Sequence, residues 1–293
     1  MSVSEFPRGK ALAGLIGAGI SRSLTPAMQE EEARQHGLRL HYQLIDLDRG
    51  GDGAEALPML LAAARIMGFA GLNVTYPCKQ AVVGLLDELS DEARAIGAVN
   101  TVVNHDGRLT GHNTDGSGWR RGFESALPDA DLSRVVLLGA GGAGSAIAHA
   151  LLRMRTGQVS IFDRAPGKAR TLAKELAPVY GNERVAWTDD IAVPMATATG
   201  LVHATPTGMV KLPGMPLPAQ LLRPDCWVAE VVYFPMETEL LKAARALGCA
   251  TVDGGTMAVG QAIGAFELFT GLKADAQRVK AHFARLLVDH RSR

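Results

Sequence analysis

The chain has 293 residues, 47% of them apolar and 20% charged, which is the composition of a globular protein long enough for two domains. Its 30 basic and 30 acidic residues balance, which argues against recruitment of nucleic acid or an anionic membrane surface by a global field. The three scattered cysteines, Cys78, Cys226 and Cys249, form no CxxC pair, so neither a disulfide framework nor a zinc site is expected.

Apolar periodicity in the first third of the chain predicts alternating strands and helices. Asp106-Gly107 predicts a tight turn whose flanks form a hairpin. This alternation indicates an α/β architecture. The predicted strands are 12–16, 41–47, 71–74 and 99–104, and the predicted helices are 26–36, 57–67, 79–86 and 91–96.

A second α/β unit is predicted to begin near Asn113 and to give way to helices after Gly255. We therefore expect an N-terminal substrate-binding and catalytic domain at 1–112, completed by C-terminal helices at 256–293. A Rossmann-type dinucleotide-binding domain at 113–255 would face it across a cleft. The strands predicted for the second unit are 135–138, 159–162, 200–204 and 227–232, and its predicted helices are 118–125, 145–153 and 168–176.

The segment Gly139-Ala140-Gly141-Gly142-Ala143-Gly144 follows a buried strand and opens a helix. Its GxGxxG spacing in that context predicts a dinucleotide site, because the glycines allow a tight turn, a close approach of pyrophosphate and close helix packing. Asp163 comes about 20 residues later, where an acid bonds the ribose hydroxyls and repels a 2′-phosphate. NAD is therefore the predicted cofactor. NADP stays possible because Arg164 is able to hold a phosphate. In the alternative interpretation, Asp163-Arg164 marks only a solvated strand end.

Two hydroxyls, those of Ser23 and Thr25, stand on one loop just before a predicted helix. Such hydroxyls donate to a carboxylate, and the positive end of the helix assists them. In the alternative interpretation, Thr25 only caps the helix, with Pro26 at the first helical position.

Lys79 and Asp115, from distant segments, are candidates for proton transfer. Lys79 opens a predicted helix, where the helix dipole and partial burial favour the neutral amine. Asp115 lies at the junction between the domains and would ion-pair with Lys79 across the cleft. The alternatives are a lysine that reaches to solvent and an aspartate that caps the next helix. Asn100 and Gln261 add amides able to pair with ring hydroxyls.

Eight ordered motifs between Gly14 and about Gly271 resemble the shikimate dehydrogenase family, most of all its NAD-dependent quinate/shikimate branch. The motifs are Ser23-x-Thr25-Pro26, Asn73-Val74-Thr75-x-Pro77-x-Lys79, Gly97-Ala98-Val99-Asn100-Thr101, Asn113-Thr114-Asp115, Gly139-Ala140-Gly141-Gly142-Ala143, Ala204-Thr205-Pro206-Thr207-Gly208-Met209, Val231-Val232-Tyr233-x-Pro235 and Asp253-Gly254-x-x-Met257-x-x-x-Gln261.

The resemblance implies an oxidoreductase that converts shikimate to 3-dehydroshikimate, or quinate to 3-dehydroquinate, with NAD(P) and without a metal. Lys79, paired with Asp115, would be the general base in oxidation and the general acid in reduction. The residues implied to bind substrate are Ser23, Thr25 and Tyr233 for its carboxylate and Thr75, Asn100, Asp115 and Gln261 for its ring hydroxyls. Those implied to line the cofactor, beside the glycine loop, are Thr205, Met209, Val232, Gly255 and Met257.

Two residues depart from the usual family pattern. Thr25 replaces a second serine, and His203 replaces the asparagine that usually precedes Ala-Thr-Pro. An imidazole at that position predicts a cofactor affinity that depends on pH. Three alternatives remain: an NADP-linked biosynthetic shikimate dehydrogenase, a paralogue acting on an amino analogue of the ring, and a non-catalytic nucleotide-binding regulator, against which the retained Lys79 and Asp115 argue.

The amino-terminal segment 1–21 has one short apolar run and lacks the architecture of a signal peptide. No stretch reaches the roughly 18 uninterrupted apolar residues of a membrane span. We therefore expect a cytoplasmic protein, a monomer or a homodimer, whose partner is a small-molecule substrate.

Overall fold

The computed structural model describes residues 9–49 and 53–291, so residues 1–8 of the segment inspected for a signal peptide lie outside it. Contacts divide the chain into two compact units. Unit 1 is Met1–Thr114 with Val259–Arg293, and unit 2 is Asp115–Ala258. These bounds lie two and three residues after the predicted ones. None of the helices in the described ranges is long and apolar enough to cross a membrane.

The part of unit 1 that precedes unit 2 alternates strands with short helices. In chain order its elements are β1 (Lys10–Gly17), α1 (Thr25–Gln35), β2 (Arg39–Asp46), α2 (Leu57–Ile66), β3 (Gly71–Val74), α3 (Cys78–Ala81), β4 (Glu88–Leu89), α4 (Asp91–Ile96), β5 (Thr101–His105) and β6 (Arg108–His112).

Unit 2 and the C-terminal helices follow. The elements are α5 (Asp115–Ala126), β7 (Arg134–Leu138), α6 (Gly142–Arg153), β8 (Gln158–Phe162), α7 (Pro166–Tyr180), β9 (Val185–Trp187), α8 (Ala192–Met195), β10 (Gly200–His203), β11 (Trp227–Glu230), α9 (Glu239–Ala246), β12 (Thr251–Val252), α10 (Gly254–Thr270) and α11 (Ala276–Arg291).

The sheet of unit 1 is mixed, with strand order β2-β1-β3-β5-β6-β4. β1, β2 and β3 are parallel, whereas β5 is antiparallel to both β3 and β6. The predicted hairpin is confirmed: β5 and β6 pair, and Asp106 (φ 52°) and Gly107 (φ 85°) make the turn in the left-handed region. The carboxyl ends of β1, β3 and β6 therefore lie at the same edge of the sheet as the start of β5.

The sheet of unit 2 is entirely parallel, in the order β12-β11-β10-β7-β8-β9. Both faces are covered: Val135 and Leu137 of β7 pack in one apolar cluster, and Val136 and Leu138 in another. The chain runs outward from β7 in both directions, which is the doubly wound order of a dinucleotide-binding fold. Its ligand crevice is expected where that order reverses, beyond the carboxyl ends of β7 and β10.

Several predicted elements were wrong in extent. The helix predicted at 79–86 ends after one turn at Ala81, and a short 3-10 turn at Val83–Leu85 follows, in a segment whose β-branched residues and glycine disfavour a longer α-helix. The helix predicted at 168–176 covers Pro166–Tyr180 instead, because proline starts a helix readily and Pro178 falls only in its last turn.

The C-terminal helix α11 is fastened to α1 inside unit 1 by a buried ion pair. Glu32 is 2% exposed and accepts hydrogen bonds from Arg278 Nε (2.8 Å) and Nη2 (2.6 Å) and from the Asp275 N–H (2.9 Å). Burial alone would raise the pKa of Glu32, but these hydrogen bonds outweigh it and lower that pKa below 4.5. The Glu32 carboxylate is thus one of the links between α1 and the C-terminal helix.

Candidate active site

Backbone hydrogen bonds connect the loop after β1 to the loop after β3 at one edge of the unit 1 sheet. The N–H of Ala18, just after β1, donates to the carbonyl of Tyr76, just after β3 (2.9 Å), and the Thr75 N–H donates to Ile16 (2.9 Å). Gly17 permits this approach, because a Cβ there would lie 2.3 Å from the Thr75 methyl carbon. Thr75 is thereby fixed beside the loop that carries the predicted carboxylate-binding hydroxyls.

Those two hydroxyls meet. Ser23 Oγ donates to Thr25 Oγ1 at 3.1 Å and accepts from the Thr25 N–H at 3.3 Å. Thr25 is the first residue of α1 and Leu24 occupies the cap position without a side-chain cap bond, so the helix-capping alternative for Thr25 is wrong. Hydroxyls paired at a helix N-terminus form a small anion-binding group.

Lys79 lies in the single turn α3, half-buried, and its carbonyl accepts the Val99 N–H at 2.8 Å. A four-residue helix has a small dipole, so the field expected to act on this amine is weaker than the sequence suggested. The neighbouring Cys78 is buried, and burial raises the pKa of its thiol, which removes it as a competing nucleophile. The Val99 bond places the Lys79 backbone next to the chain that enters Asn100.

Asn100 is 1% exposed and its amide is held from several directions. Its Oδ1 accepts from the Thr114 N–H (2.8 Å) and from Thr101 Oγ1 (2.9 Å). Its Nδ2 donates to Thr114 Oγ1 (3.0 Å) and to Gln261 Oε1 (3.3 Å). The structure therefore brings together two amides that are 161 positions apart in sequence, and the network assigns the amide orientation of Asn100.

A second layer lies behind Asn100. Asn73 Nδ2 donates to the Asn100 carbonyl (3.2 Å) and to Thr101 Oγ1 (3.0 Å), while Asn73 Oδ1 accepts from the buried Tyr42 hydroxyl at 2.6 Å. Tyr42 is on β2 and Asn73 on β3, so this chain of bonds crosses β1, where Ala13 is small enough to leave room. Nearby, burial lowers the pKa of His112, which favours its neutral imidazole.

In unit 2, the glycine loop has the geometry that a pyrophosphate requires. Gly139 has φ +105°, and a Cβ on Gly144 would lie 1.9 Å from the Gly139 carbonyl oxygen, so both positions demand glycine. A Cβ on Gly141 would meet nothing within 4 Å, so the backbone there is open to a ligand. Gly141 also caps α6 without any side-chain cap bond. These features fit a dinucleotide, whose pyrophosphate the helix N-terminus would hold.

Asp163 follows β8 and is anchored against this loop. Its Oδ2 accepts from the Ala140 N–H and its Oδ1 from the Ala165 N–H, each at 2.9 Å. The carboxylate is therefore fixed at the carboxyl edge of the sheet, which contradicts the idea of a merely solvated strand end. Arg164 is exposed beside it and makes no hydrogen bond or ion pair with any other described residue.

Comparison with known proteins agrees with this geometry. Residues 15–102 match the family model described as the shikimate dehydrogenase substrate binding domain, and residues 123–200 match the one described as shikimate / quinate 5-dehydrogenase. A shikimate dehydrogenase (NADP(+)) of Streptomyces avermitilis is 57% identical over 94% of this chain and 95% of its own length. The chain belongs to the shikimate dehydrogenase family.

Other members of the family differ in the cofactor that their names carry. A quinate/shikimate dehydrogenase (NAD(+)) of Corynebacterium efficiens is 48% identical over 94% of this chain and 98% of its own length. The solved quinate dehydrogenase from Corynebacterium glutamicum in complex with NAD is 47% identical, covers 94% of this chain and 99% of its own, and superposes with a TM-score of 0.88. The family resemblance and the two-domain α/β fold with a Rossmann-type second domain are confirmed.

The remaining predicted site residues of this family member lie in unit 2. Thr205 follows β10, and its methyl carbon would be 3.0 Å from a Cβ on Gly139. Asp115 is 2% exposed at the start of α5, and the Tyr233 ring packs at a tilt of 47° against Phe234, with ring centroids 4.8 Å apart.

Of the other predicted cofactor-lining residues, Gly255 and Met257 lie in α10, Val232 lies just after β11 and Met209 lies on a loop. Val232 is buried, and its carbonyl would be 2.5 Å from a Cβ on Gly254. The N–H of Gly255 donates to Asp253 Oδ1 at 3.0 Å. Met257 packs in the unit 2 core, whereas Met209 is 41% exposed. Among the residues that the structure describes, no group of three or more His, Cys, Asp or Glu side chains is placed to hold a metal ion.

Sequence reasoning missed the residues that orient the site. Tyr42, Thr101 and Thr114 carry no assigned role in the sequence analysis, although all three are buried and hydrogen-bonded to Asn73 or Asn100. One signal was present: Tyr42 occupies an inward position of an alternating strand, and a buried tyrosine hydroxyl requires a partner. The identity of that partner depends on strand order, which the sequence did not supply.

Proposed function

We propose that this chain is an NAD-preferring dehydrogenase that reversibly oxidises shikimate to 3-dehydroshikimate, quinate to 3-dehydroquinate, or both. The observation that carries the proposal is the polar group at one edge of the unit 1 sheet. The hydroxyls of Ser23 and Thr25 pair on the loop after β1, and the half-buried Lys79 lies in the turn after β3. Asn100, just before β5, donates to the Gln261 amide of α10. An anion-binding group, an amine and neutral amides are what a polyhydroxylated ring acid needs.

In the proposed mechanism, Ser23 and Thr25, with Tyr233, hold the substrate carboxylate. Thr75, Asn100 and Gln261 bond the ring hydroxyls and so fix which hydroxyl reaches the Lys79 amine. That amine takes the hydroxyl proton during oxidation and returns it during reduction.

Asp115 would bond the same hydroxyl and support the charged form of Lys79 after the proton has moved. Bound NAD supplies the hydride acceptor. The residues proposed to line the cofactor, beside the glycine loop Gly139–Ala143, are Thr205, Met209, Val232, Gly255 and Met257.

The proposed cofactor preference rests on Asp163. Its carboxylate accepts two backbone N–H groups beside the glycine loop. In that position it would accept hydrogen bonds from ribose hydroxyls and repel a 2′-phosphate. NADP is the second candidate, because the exposed Arg164 could bind that phosphate and because the 57% identical relative is named for NADP.

A steady-state matrix tests both parts of the proposal. Shikimate, quinate and an amino analogue of the ring are each oxidised with NAD and with NADP, and kcat/KM is compared across the six pairs. We expect turnover with shikimate or quinate and a higher kcat/KM with NAD than with NADP. A higher kcat/KM with NADP than with NAD would overturn the proposed cofactor preference. A higher kcat/KM with the amino analogue than with shikimate or quinate would overturn the proposed substrate. Absence of turnover, with dinucleotide still bound, would favour a regulator.

We further propose a reducing compartment, the cytoplasm, because Cys78, Cys226 and Cys249 are all buried free thiols. Burial raises the pKa of Cys226 to about 12, so that thiol is poorly suited to exchange. The expected monomer or homodimer is distinguished by light scattering during size-exclusion chromatography.

A further inference from the structure

A buried chain of side chains joins the ends of β10 and β11 in unit 2. His203 is fully buried and Glu230 is 1% exposed, and they are register partners on adjacent parallel strands. His203 Nδ1 lies 2.8 Å from Glu230 Oε1, and His203 Nε2 lies 2.5 Å from Thr205 Oγ1. An acid, an imidazole and a hydroxyl therefore stand in series, and none of the proposed proton transfers uses them.

The surroundings of Glu230 decide which imidazole nitrogen carries the proton. Besides His203, its Oε1 accepts the N–H groups of Val231 (2.8 Å) and Val232 (2.9 Å), and its Oε2 accepts from Thr238 Oγ1 (3.0 Å). An oxygen that already accepts two backbone donors has no proton to give, so His203 Nδ1 must donate to it. In the neutral imidazole, Nε2 is then an acceptor, and the Thr205 hydroxyl donates a hydrogen bond to it.

This assignment fixes what Thr205 offers to a ligand. With its proton directed to His203, Thr205 Oγ1 has only lone pairs left, one of which accepts the Thr207 N–H at 3.3 Å. Thr205 stands directly after β10 and against Gly139, the first glycine of the loop after β7. That is the point where the strand order of the sheet reverses and where a dinucleotide is expected.

We propose that His203 is a positioning residue: held by Glu230, it makes the Thr205 hydroxyl a fixed hydrogen-bond acceptor for a donor group of the bound dinucleotide. The donor is a ribose hydroxyl or the N–H of the nicotinamide carboxamide. The inference rests on the proposed function, since it needs a dinucleotide at this edge. A purely structural role, in which the pair only ties β10 to β11, is the alternative that the experiment must separate.

The test measures the Kd of NAD by calorimetry, together with KM, kcat and the thermal midpoint. Thr205→Val keeps the shape and removes the acceptor, and we expect it to raise Kd and KM for NAD about three- to tenfold with little change in kcat, the effect of losing one hydrogen bond. Thr205→Ser restores the hydroxyl and should bind NAD like the parent. His203→Leu should raise Kd by the same factor as Thr205→Val.

The double variant His203→Leu/Thr205→Val is decisive. If His203 acts through Thr205, the double variant binds NAD no more weakly than either single one, whereas independent effects would multiply. Thr238→Val is the structural control, because it breaks the bond at the other oxygen of Glu230 without touching Thr205. We expect it to lower the thermal midpoint while leaving Kd within about twofold, since the lost bond is outside the relay to the ligand.

Each outcome has a defined meaning. Multiplicative effects in the double variant, an unchanged Kd in Thr205→Val, or an equal loss of affinity in Thr238→Val would overturn the positioning role. If His203→Leu does not fold, His203→Leu/Glu230→Gln, which lowers the buried charge, takes its place in the cycle. A parent protein that binds no dinucleotide would instead overturn the proposed function.

The 3-acetylpyridine analogue of NAD, which has a methyl group in place of the carboxamide nitrogen, separates the two donors. If the carboxamide is the donor, Thr205→Val and the parent bind the analogue equally. If a ribose hydroxyl is the donor, the difference between them persists.

Discussion

The two units build their parts of the site by different means. In unit 2 the proposed cofactor contacts depend on backbone: Gly139, Gly141 and Gly144 leave space or adopt φ values that side chains would prevent. In unit 1 the proposed substrate contacts depend on side chains, and the Asn100 amide is set by hydrogen bonds with Thr101, Thr114 and Gln261. A dinucleotide presents the same pyrophosphate in every enzyme, which backbone can hold. A ring acid must be distinguished by its hydroxyls, which requires oriented side chains.

The units also differ in how the chain supplies them. Unit 2 is one continuous segment, whereas unit 1 takes Gln261 and α11 from beyond it. The proposed substrate site therefore depends on contacts between the two ends of the chain, such as that of Asn100 with Gln261. Changes at Asn100 and its partners in unit 1 should alter substrate affinity while sparing NAD affinity, and changes in the glycine loop of unit 2 should lower NAD affinity while sparing substrate affinity.

The largest effect is expected for Lys79→Ala, which removes the proposed general base. We expect kcat to fall about 10²- to 10⁴-fold, the range that general acid–base help supplies, with the Kd of NAD unchanged. Lys10→Ala is the control. It also removes a lysine, but at the amino end of β1, away from the edge of the sheet that carries the proposed site, and it should leave kcat unaltered. Near-normal turnover in Lys79→Ala would assign the proton to another group.

A change in cofactor preference is expected next in size, from Asp163→Asn. Loss of the negative charge weakens the acceptor for the ribose hydroxyls and removes the repulsion of a 2′-phosphate. The ratio of kcat/KM for NAD to that for NADP should therefore fall by about tenfold, roughly the contribution of one charged hydrogen bond. Arg164→Ala should raise the same ratio. If the ratio of kcat/KM for NAD to that for NADP is unchanged in both variants, neither side chain contacts the ribose or its 2′-phosphate.

The sequence predicted much of the fold because its signals there are local. The buried run Val135–Leu138 and the glycines after it predicted β7 and the opening of α6 within three residues. The two-residue strand β12 and the three-residue strand β9 were missed, since their pairing comes from neighbours and not from their own periodicity.

The same limit explains which parts of the site were predicted. Ser23, Lys79 and Asn100 were found because each sits at the end of a recognisable element. Tyr42 was missed because it reaches Asn73 across an intervening strand. Gln261 was predicted as a site residue, but its bond to Asn100 was not, because it comes from the far end of the chain. His203 was noticed as a departure from the family, but its bond to Glu230 depends on the register of β10 with β11.

A smaller effect, on stability, is expected from Tyr42→Phe. The variant leaves Asn73 Oδ1 buried without the tyrosine hydroxyl at 2.6 Å, which should lower the free energy of unfolding by about 1–3 kcal/mol. Because Asn73 supports Asn100, the KM for shikimate should rise while that for NAD should not. Tyr180→Phe is the control, because it removes a part-buried hydroxyl that lies 2.9 Å from His149 Nδ1 in unit 2. It should lower the free energy of unfolding without raising the KM for shikimate.

The smallest expected effect is on the thermal midpoint of Glu32→Gln, which removes the carboxylate between α1 and α11. Since its folded pKa is lowered below the ordinary 4.5, ionised Glu32 stabilises unit 1 fully above pH 4.5, and this stabilisation is lost as pH falls through the folded pKa. Glu32→Gln should therefore lower the thermal midpoint by a few degrees at pH 7. The gap between variant and parent should narrow steadily below pH 4.5, as the parent carboxylate is protonated.

The neighbouring Glu31 provides a control for that last measurement, because its hydrogen bonds come from Arg34 and Gln35 of its own helix. Hydrogen bonds from Arg34 lower the pKa of Glu31 to about 2, yet a surface pair contributes little, so Glu31→Gln should barely move the midpoint at pH 7. A pH-independent gap for Glu32→Gln would show that its effect comes from packing. If the difference in thermal midpoint between Glu32→Gln and the parent disappears at low pH, and NAD affinity at pH 7 is unaltered, the stability of unit 1 depends on the ionised Glu32 carboxylate that links α1 to α11.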